Sequence, residues 1–216
     1  MNKIYLEYDV RKYFEEIVNL KGKKVIDWGC NHGNMLKYKE CDFEYIGIDV
    51  DKQLIDENKK TWPQHEWIHL DAHNHQYNPL GGNEWIDLDA DLVLMFSIFT
   101  HMSISEMKKY IQKIKPPLLS TFIPSNNEVM LRRALNYRLS HRPDVFDQVY
   151  NKDYAYIVST PEDAMVYTGI EEIPKLNNAW YFLVVHHPDY ISQFGDVIET
   201  KYETGIESTQ HCLYRK

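Results

Sequence analysis

The chain has 216 residues, 44% of them hydrophobic and 26% charged, with a formal net charge of -8. That length and balance describe a globular domain with a real core and room for an insertion, not a disordered chain. The negative field opposes nonspecific binding to nucleic acid.

In chain order, residues 5 to 19 place Tyr5, Tyr8, Val10, Tyr13, Phe14, Ile17 and Val18 at roughly helical spacing. Gly22 suits a helix C-cap. Lys24 to Trp28 is a short apolar run that reads as a buried strand, and a short helix is predicted from about Gly33. Phe43 to Ile48 is a second strand, ending at Asp49. Asp51 to Lys60 is a polar helix with Asp51 as its N-cap. Glu66 to Leu70 is a third strand, ending at Asp71. His73 to Asp89 reads as loop, punctuated by Pro79-Leu80-Gly81-Gly82.

Asp91 to Phe96 is a fourth strand. Ser103 to Ile114 is a helix with a capping-box start, ended by Lys115-Pro116-Pro117. Leu118 to Ile123 is a fifth strand. Ser125 to about Leu139 looks helical, and residues 140 to 178 look irregular. Asp189 to Phe194 reads as a short helix. Val197 to Glu203 and Gln210 to Arg215 read as two final strands joined by a turn near Gly205.

Cys30, Cys41 and Cys212 show no paired spacing, so neither a disulfide framework nor a cysteine-based zinc site is expected. The start of the chain lacks an apolar run of signal-peptide length, and the longest apolar runs are too short for a bilayer. A cytoplasmic location without a membrane partner is the expectation. The sequence sets no oligomeric state.

Strands alternating with crossovers imply a doubly wound, mostly parallel α/β sheet. Ligands bind such sheets beyond the C-terminal ends of the strands. Asp27, Asp49, Asp71 and Ser97 all fall at or beyond such ends. Gly29 and Gly33 lie in a turn where backbone can approach a ligand closely. Asp49 sits where an acid accepts hydrogen bonds from a ribose diol.

These residues resemble the motifs of the class I S-adenosylmethionine-dependent methyltransferases, over about residues 20 to 125 and more weakly over the last 30. Val25-Ile26-Asp27-Trp28-Gly29-Cys30-Asn31-His32-Gly33 is similar to the first motif, and Tyr45-Ile46-Gly47-Ile48-Asp49 to the second. His69-Leu70-Asp71-Ala72 is similar to the third. Asp91 to Met102 resembles the fourth strand and its loop, and Lys115-Pro116-Pro117 the turn before the fifth.

The resemblance implies a Rossmann-like, seven-stranded sheet with an antiparallel last strand and an insertion after the fifth strand. A single domain over 1–216 is implied. Its cofactor-binding half covers about 20–125, a substrate-side insertion about 125–195, and a final strand pair about 196–216. The implied cofactor is S-adenosylmethionine. Asp27 would hold the methionine amino group. Gly29, Asn31 and Gly33 would line the turn. Asp49 would bind the ribose with Val50 flanking adenine. Asp71 and Ala72 would meet the adenine edge, and Ser97 would lie under the methionine. Asn31 stands where the family has its middle glycine; Asn tolerates positive φ better than most residues.

His101, in the loop after the fourth strand, reads either as a general base or as a packing or capping residue. Arg132, Arg133, Tyr137 and Arg138, beyond the fifth strand, read either as capture of an anionic or sugar substrate or as a solvated helix face. His65, His69 and His73 would share a face only in a helix. They fall on a strand running into a loop, so no metal site is expected.

The leading expectation is an enzyme that methylates an oxygen of a small molecule or glycan precursor. Two others stand beside it. Nucleic-acid methylation lacks an Asp/Asn-Pro-Pro-aromatic motif after the fourth strand, and a non-catalytic cofactor-binding protein is kept open by Asn31.

Overall fold

The computed structural model describes residues 9–37, 40–74, 77–87, 89–102, 104–124, 157–159, 184–186, 188–200, 203–204 and 208–216. Two compact units are present. The first is Met1–Phe96 with Ile114–Leu119 and Lys216; the second is Ser97–Lys113 with Ser120–Arg215.

In the first unit, α1 (Val10–Glu15) is capped by Asp9, whose side chain accepts from the Lys12 amide. It packs through Tyr13 and Phe14, which meet Phe96 edge-on at 5.7 and 5.9 Å between ring centroids. Buried Arg11 ties α1 to the segment before the second strand. It pairs with Glu15 at 2.7 Å and Asp42 at 3.0 Å and lies over the Phe43 ring.

Strand β1 (Lys24–Trp28) runs parallel to β2 (Glu44–Asp49), with Val25 opposite Tyr45 and Asp27 opposite Gly47. Strand β3 (Glu66–His69) lies parallel on the far side of β2. Between them α2 (Lys52–Thr61) starts on Asp51, whose side chain accepts from the amides of Gln53 and Leu54, as the sequence predicts. The His73 to Asp89 segment departs from expectation. Instead of loop it forms β4 (Ala72–Asn74) and β5 (Asn78–Asn83), an irregular antiparallel hairpin. Its Asn and Gly residues hide it from any strand pattern.

Strand β6 (Leu92–Met95) is buried throughout and runs parallel to β1 on the side away from β2. Continuous apolar runs of this kind mark strands covered on both faces. Each such Leu, Val or Ile side chain contributes about 1.5–3 kcal/mol through burial.

The second unit contains α3 (Ile104–Lys113) and most of β7 (Leu118–Pro124). Within the stretch predicted irregular, β8 (Ile157–Ser159) pairs with β9 (Val184–His186), which in turn pairs with the end of β7. The predicted helix at Ser125 to Leu139 lies outside the described residues. After α4 (Pro188–Ile191) come β10 (Asp196–Ile198), β11 (Glu203–Thr204), β12 (Ser208–Thr209) and β13 (His211–Arg215). β11 pairs with β12, and β10 lies antiparallel to β13.

Hydrogen bonding orders the main strands β3-β2-β1-β6-β7-β13-β10, with β8 and β9 off this path. This is a Rossmann-like sheet with an antiparallel final pair. The order reverses between β1 and β6, and such a reversal opens a crevice at the strand C-termini. Among the described residues, no helix is long and apolar enough to cross a membrane.

Candidate functional site

The turn after β1 holds three of the residues that the sequence singles out, Gly29, Asn31 and Gly33. Gly29, Asn31 and Gly33 have φ of 78°, 50° and 67°, so three of its five residues are left-handed. Asn31 takes the conformation that a glycine favours, and its side chain folds back. Its Oδ1 accepts from the His32 amide at 2.7 Å. Buried Asn58, from α2, donates to the Asn31 carbonyl at 2.6 Å. The predicted helix after Gly33 shrinks to one 3-10 turn, Asn34–Leu36.

The amides of this turn are used internally. Gly29 and Cys30 donate to the Ile48 carbonyl at 2.8 and 3.0 Å, and Gly33 donates to Cys30 at 2.9 Å. Asn31 donates to Asp49 Oδ2 at 2.8 Å.

Two glycines serve packing. A Cβ on Gly33 would lie 2.7 Å from the Trp62 ring, and one on Gly47 would lie 2.5 Å from Trp67 and 3.1 Å from Cys30 Sγ. The two indoles stack at 6.0 Å, beneath the turn.

Asp27 and Asp49 form the electrostatic centre. Asp27 is 4% exposed, and Tyr45 Oη donates to its Oδ2 at 2.7 Å. Burial pushes its carboxyl up to about 7, against the Tyr45 hydrogen bond and with help from the Asp49 charge. Asp49 is half-buried and also raised, mainly by burial, although the amides of Asn31 and Asp51 bind its two oxygens. Among the described residues neither carboxylate has a salt-bridge partner. Val50 follows at the half-buried start of the loop into α2.

Asp71 is exposed beyond β3. Asn78 donates to its Oδ1 at 2.9 Å and to the Ala72 carbonyl at 3.0 Å, and Glu84 accepts from its amide at 3.1 Å. Ala72 is buried at the start of the hairpin. Trp85, just after the hairpin, packs on Trp28 at 5.1 Å. The sequence singles out neither Asn78 nor Trp85, because only the hairpin brings them back to β1 and β3.

Ser97 belongs to the second unit. Its φ of 58° is left-handed. Its amide donates to Thr121 Oγ1 at 2.7 Å, and its hydroxyl lies 2.9 Å from Thr100 Oγ1 and 3.4 Å from Gln210 Nε2. Thr100, Thr121 and Gln210 were missed, and Gln210 is 113 residues away in sequence. His101 closes a 3-10 turn, Phe99–His101, and its side chain lies outside the described structure. Arg132, Arg133, Tyr137 and Arg138 lie outside the described residues.

Among the described residues no three His, Cys, Asp or Glu side chains gather as metal ligands. A separate cleft of about 340 Å³, lined by Glu15, Ile17, Leu20, Lys21 and Asp42 among others, contains none of the turn residues.

No sequence-family profile matches the chain. Solved structures do. A magnesium protoporphyrin IX methyltransferase from Synechocystis PCC 6803, with bound SAH, matches over 96% of this chain and 80% of its own. Its identity is 13% and its TM-score 0.49. A TehB-like SAM-dependent methyltransferase from Corynebacterium glutamicum matches at 18% identity and TM-score 0.39, over 55% of this chain and 64% of its own. Coclaurine N-methyltransferase, bound to N-methylheliamine and SAH, matches at 17% identity and TM-score 0.38, over 51% and 34%. The chain thus spans between a third and just under two thirds of the length of the first structures it matches. Many of the solved structures that resemble this chain are S-adenosylmethionine-dependent methyltransferases.

Proposed function

We propose that this chain binds S-adenosylmethionine at the turn between β1 and β2 and transfers its methyl group to an oxygen of a small molecule or glycan precursor. The observation that carries the reading is the pair Asp27 and Asp49. Two neighbouring carboxylates, one of them buried, share a site with no protein cation among the described residues. Burying such charges without a partner is costly. The donor set fits a ligand that is cationic at one end and carries a diol at the other.

Asp27 receives the ammonium group, and Asp49 accepts from the ribose hydroxyls with the lone pairs its amide donors leave free. Asp71 and Ala72 face the adenine edge, with Val50 beside the ring. When bound, the cofactor supplies a methyl group already activated on a sulfonium. The protein's remaining task is alignment, with water kept out. Ser97, with its amide tied to Thr121, is the residue that the resemblance assigns to the methionine. His101 accepts the acceptor's proton, and Arg132, Arg133, Tyr137 and Arg138 hold the acceptor. A dinucleotide is disfavoured by the same geometry. Its pyrophosphate needs free turn amides, and here those of residues 29–33 are taken by Ile48, Asp49, Asn31 and Cys30, beside two carboxylates.

Calorimetry with S-adenosylmethionine and S-adenosylhomocysteine tests the cofactor. Binding is expected, and Asp49→Ala weakens it at least tenfold, the loss of about one charged hydrogen bond. No binding at millimolar ligand sinks the proposal. Transfer of labelled methyl to a panel of hydroxylated small molecules, with nucleic acid as the competing substrate, tests the acceptor.

A further inference from the structure

We propose that Tyr45 is a positioning residue for Asp27: its phenol fixes one carboxylate oxygen and favours the ionised form that a cationic cofactor pairs with. This rests on the cofactor reading above.

The geometry is set by the sheet. Tyr45 and Asp27 lie on adjacent parallel strands, with Tyr45 opposite Val25, two residues before Asp27. Gly47, directly opposite Asp27, has no side chain to intervene. Both Tyr45 and Asp27 are buried, and the bond between them is 2.7 Å. The Tyr45 ring is itself held edge-on by Trp67 at 5.3 Å and His65 at 5.5 Å. Its hydroxyl therefore has little freedom to leave the carboxylate.

Among the described residues, Asp49 from β2 acts on Asp27, and Cys30 from the turn and Cys41 act on Tyr45. The cation Arg11 lies beyond Cys41, 3.8 Å from its Sγ. β6, on the other side of β1, presents only Leu92, Val93, Leu94 and Met95. Burial lowers the His65 imidazole below its ordinary value. A carboxyl raised to about 7 is about half protonated at neutral pH. An ammonium group pairs with the ionised form only, so binding sends the Asp27 proton to solvent. Tyr45 donates to that ionised form and lowers the proton's hold. Without the phenol, the carboxyl keeps its proton to higher pH.

Two measurements test this. The first needs no ligand: carbon-13 NMR of the Asp27 carboxyl, assigned with Asp27→Asn, followed against pH in wild type and Tyr45→Phe. The midpoint is expected near 7 in the wild type and higher in the variant. The second is calorimetry with S-adenosylmethionine from pH 5.5 to 9, in buffers of different ionisation enthalpy. Wild type is expected to bind about tenfold more weakly at pH 6 than at pH 8, and to release about half a proton per ligand at pH 7. Tyr45→Phe is expected to bind several-fold more weakly at pH 7 and to converge on wild type by pH 9. A merely structural loss would weaken binding equally at every pH.

Coincident NMR midpoints, a wild-type affinity independent of pH, or zero proton release would each overturn the proposal and leave the cofactor reading standing. Absence of wild-type binding at every pH overturns both. If Tyr45→Phe does not fold, 3-fluorotyrosine placed at position 45, a stronger donor of the same shape, keeps the test: the Asp27 midpoint is expected to fall below that of wild type, and an unchanged midpoint overturns the proposal.

Discussion

Replacing Asn31 separates backbone strain from side-chain chemistry in the turn. Asn31 sits at φ 50°. A non-glycine residue lacking a polar side chain pays about 1–2 kcal/mol there. Asn31 Oδ1 also satisfies the His32 amide at 2.7 Å, a bond that contributes about 0.5–1.5 kcal/mol. Asn31→Ala loses both and should destabilise by about 2–3 kcal/mol. Asn31→Gly loses the side-chain bond but relieves the left-handed strain, and its freer unfolded chain adds a cost of about 0.4–1 kcal/mol. Its net change should stay within about 1 kcal/mol. Its backbone carbonyl remains for Asn58, and its amide remains for Asp49. Urea denaturation, with an unchanged m-value, gives the order. An alanine variant as stable as the glycine variant would refute the left-handed turn. Glycine here should also leave S-adenosylmethionine affinity within about threefold of wild type, since the side-chain oxygen is engaged by the His32 amide.

Asp27→Asn should make the ligand-free protein more stable at pH 8 while abolishing cofactor binding. The sign follows from the raised carboxyl. Its stabilising contribution is complete below the unfolded value of 3.8 and is lost as pH rises through about 7. The full span is on the order of 4 kcal/mol. Denaturation at pH 5 and pH 8 reads about 2.6 kcal/mol of it, and a variant less stable than wild type at pH 8 contradicts the buried unpaired charge. Gly47→Ala should destabilise by about 1–3 kcal/mol, because its methyl would press on Trp67. A thermal midpoint unchanged from wild type would show that the indole has room to move.

Much of the first unit is legible in the sequence. Leu92–Met95 and Lys24–Trp28 are apolar runs bounded by polar residues, and burial on both faces of a parallel sheet demands that pattern. Asp51 lies one residue before a helical stretch and caps it through local bonds. The helix after Gly33 was over-read: Asn58 and Asp49 hold the turn, and a single 3-10 turn suffices to leave it. The β4–β5 hairpin was under-read, because its residues have poor strand propensity and its partner bonds decide it.

The sequence by itself determined which residue types stand at the strand ends: Asp27, Asp49, Asp71 and Ser97, in order and at spacings a doubly wound sheet makes adjacent. Only the tertiary structure decided what those residues touch. Register across β1 and β2 sets Tyr45 against Asp27, and chain return brings Gln210 to Ser97. The physical reason is range. Caps, apolar runs and turn preferences act within a few residues and are written locally. Pairing, burial and the proton balance of a carboxyl depend on which distant segments pack around it.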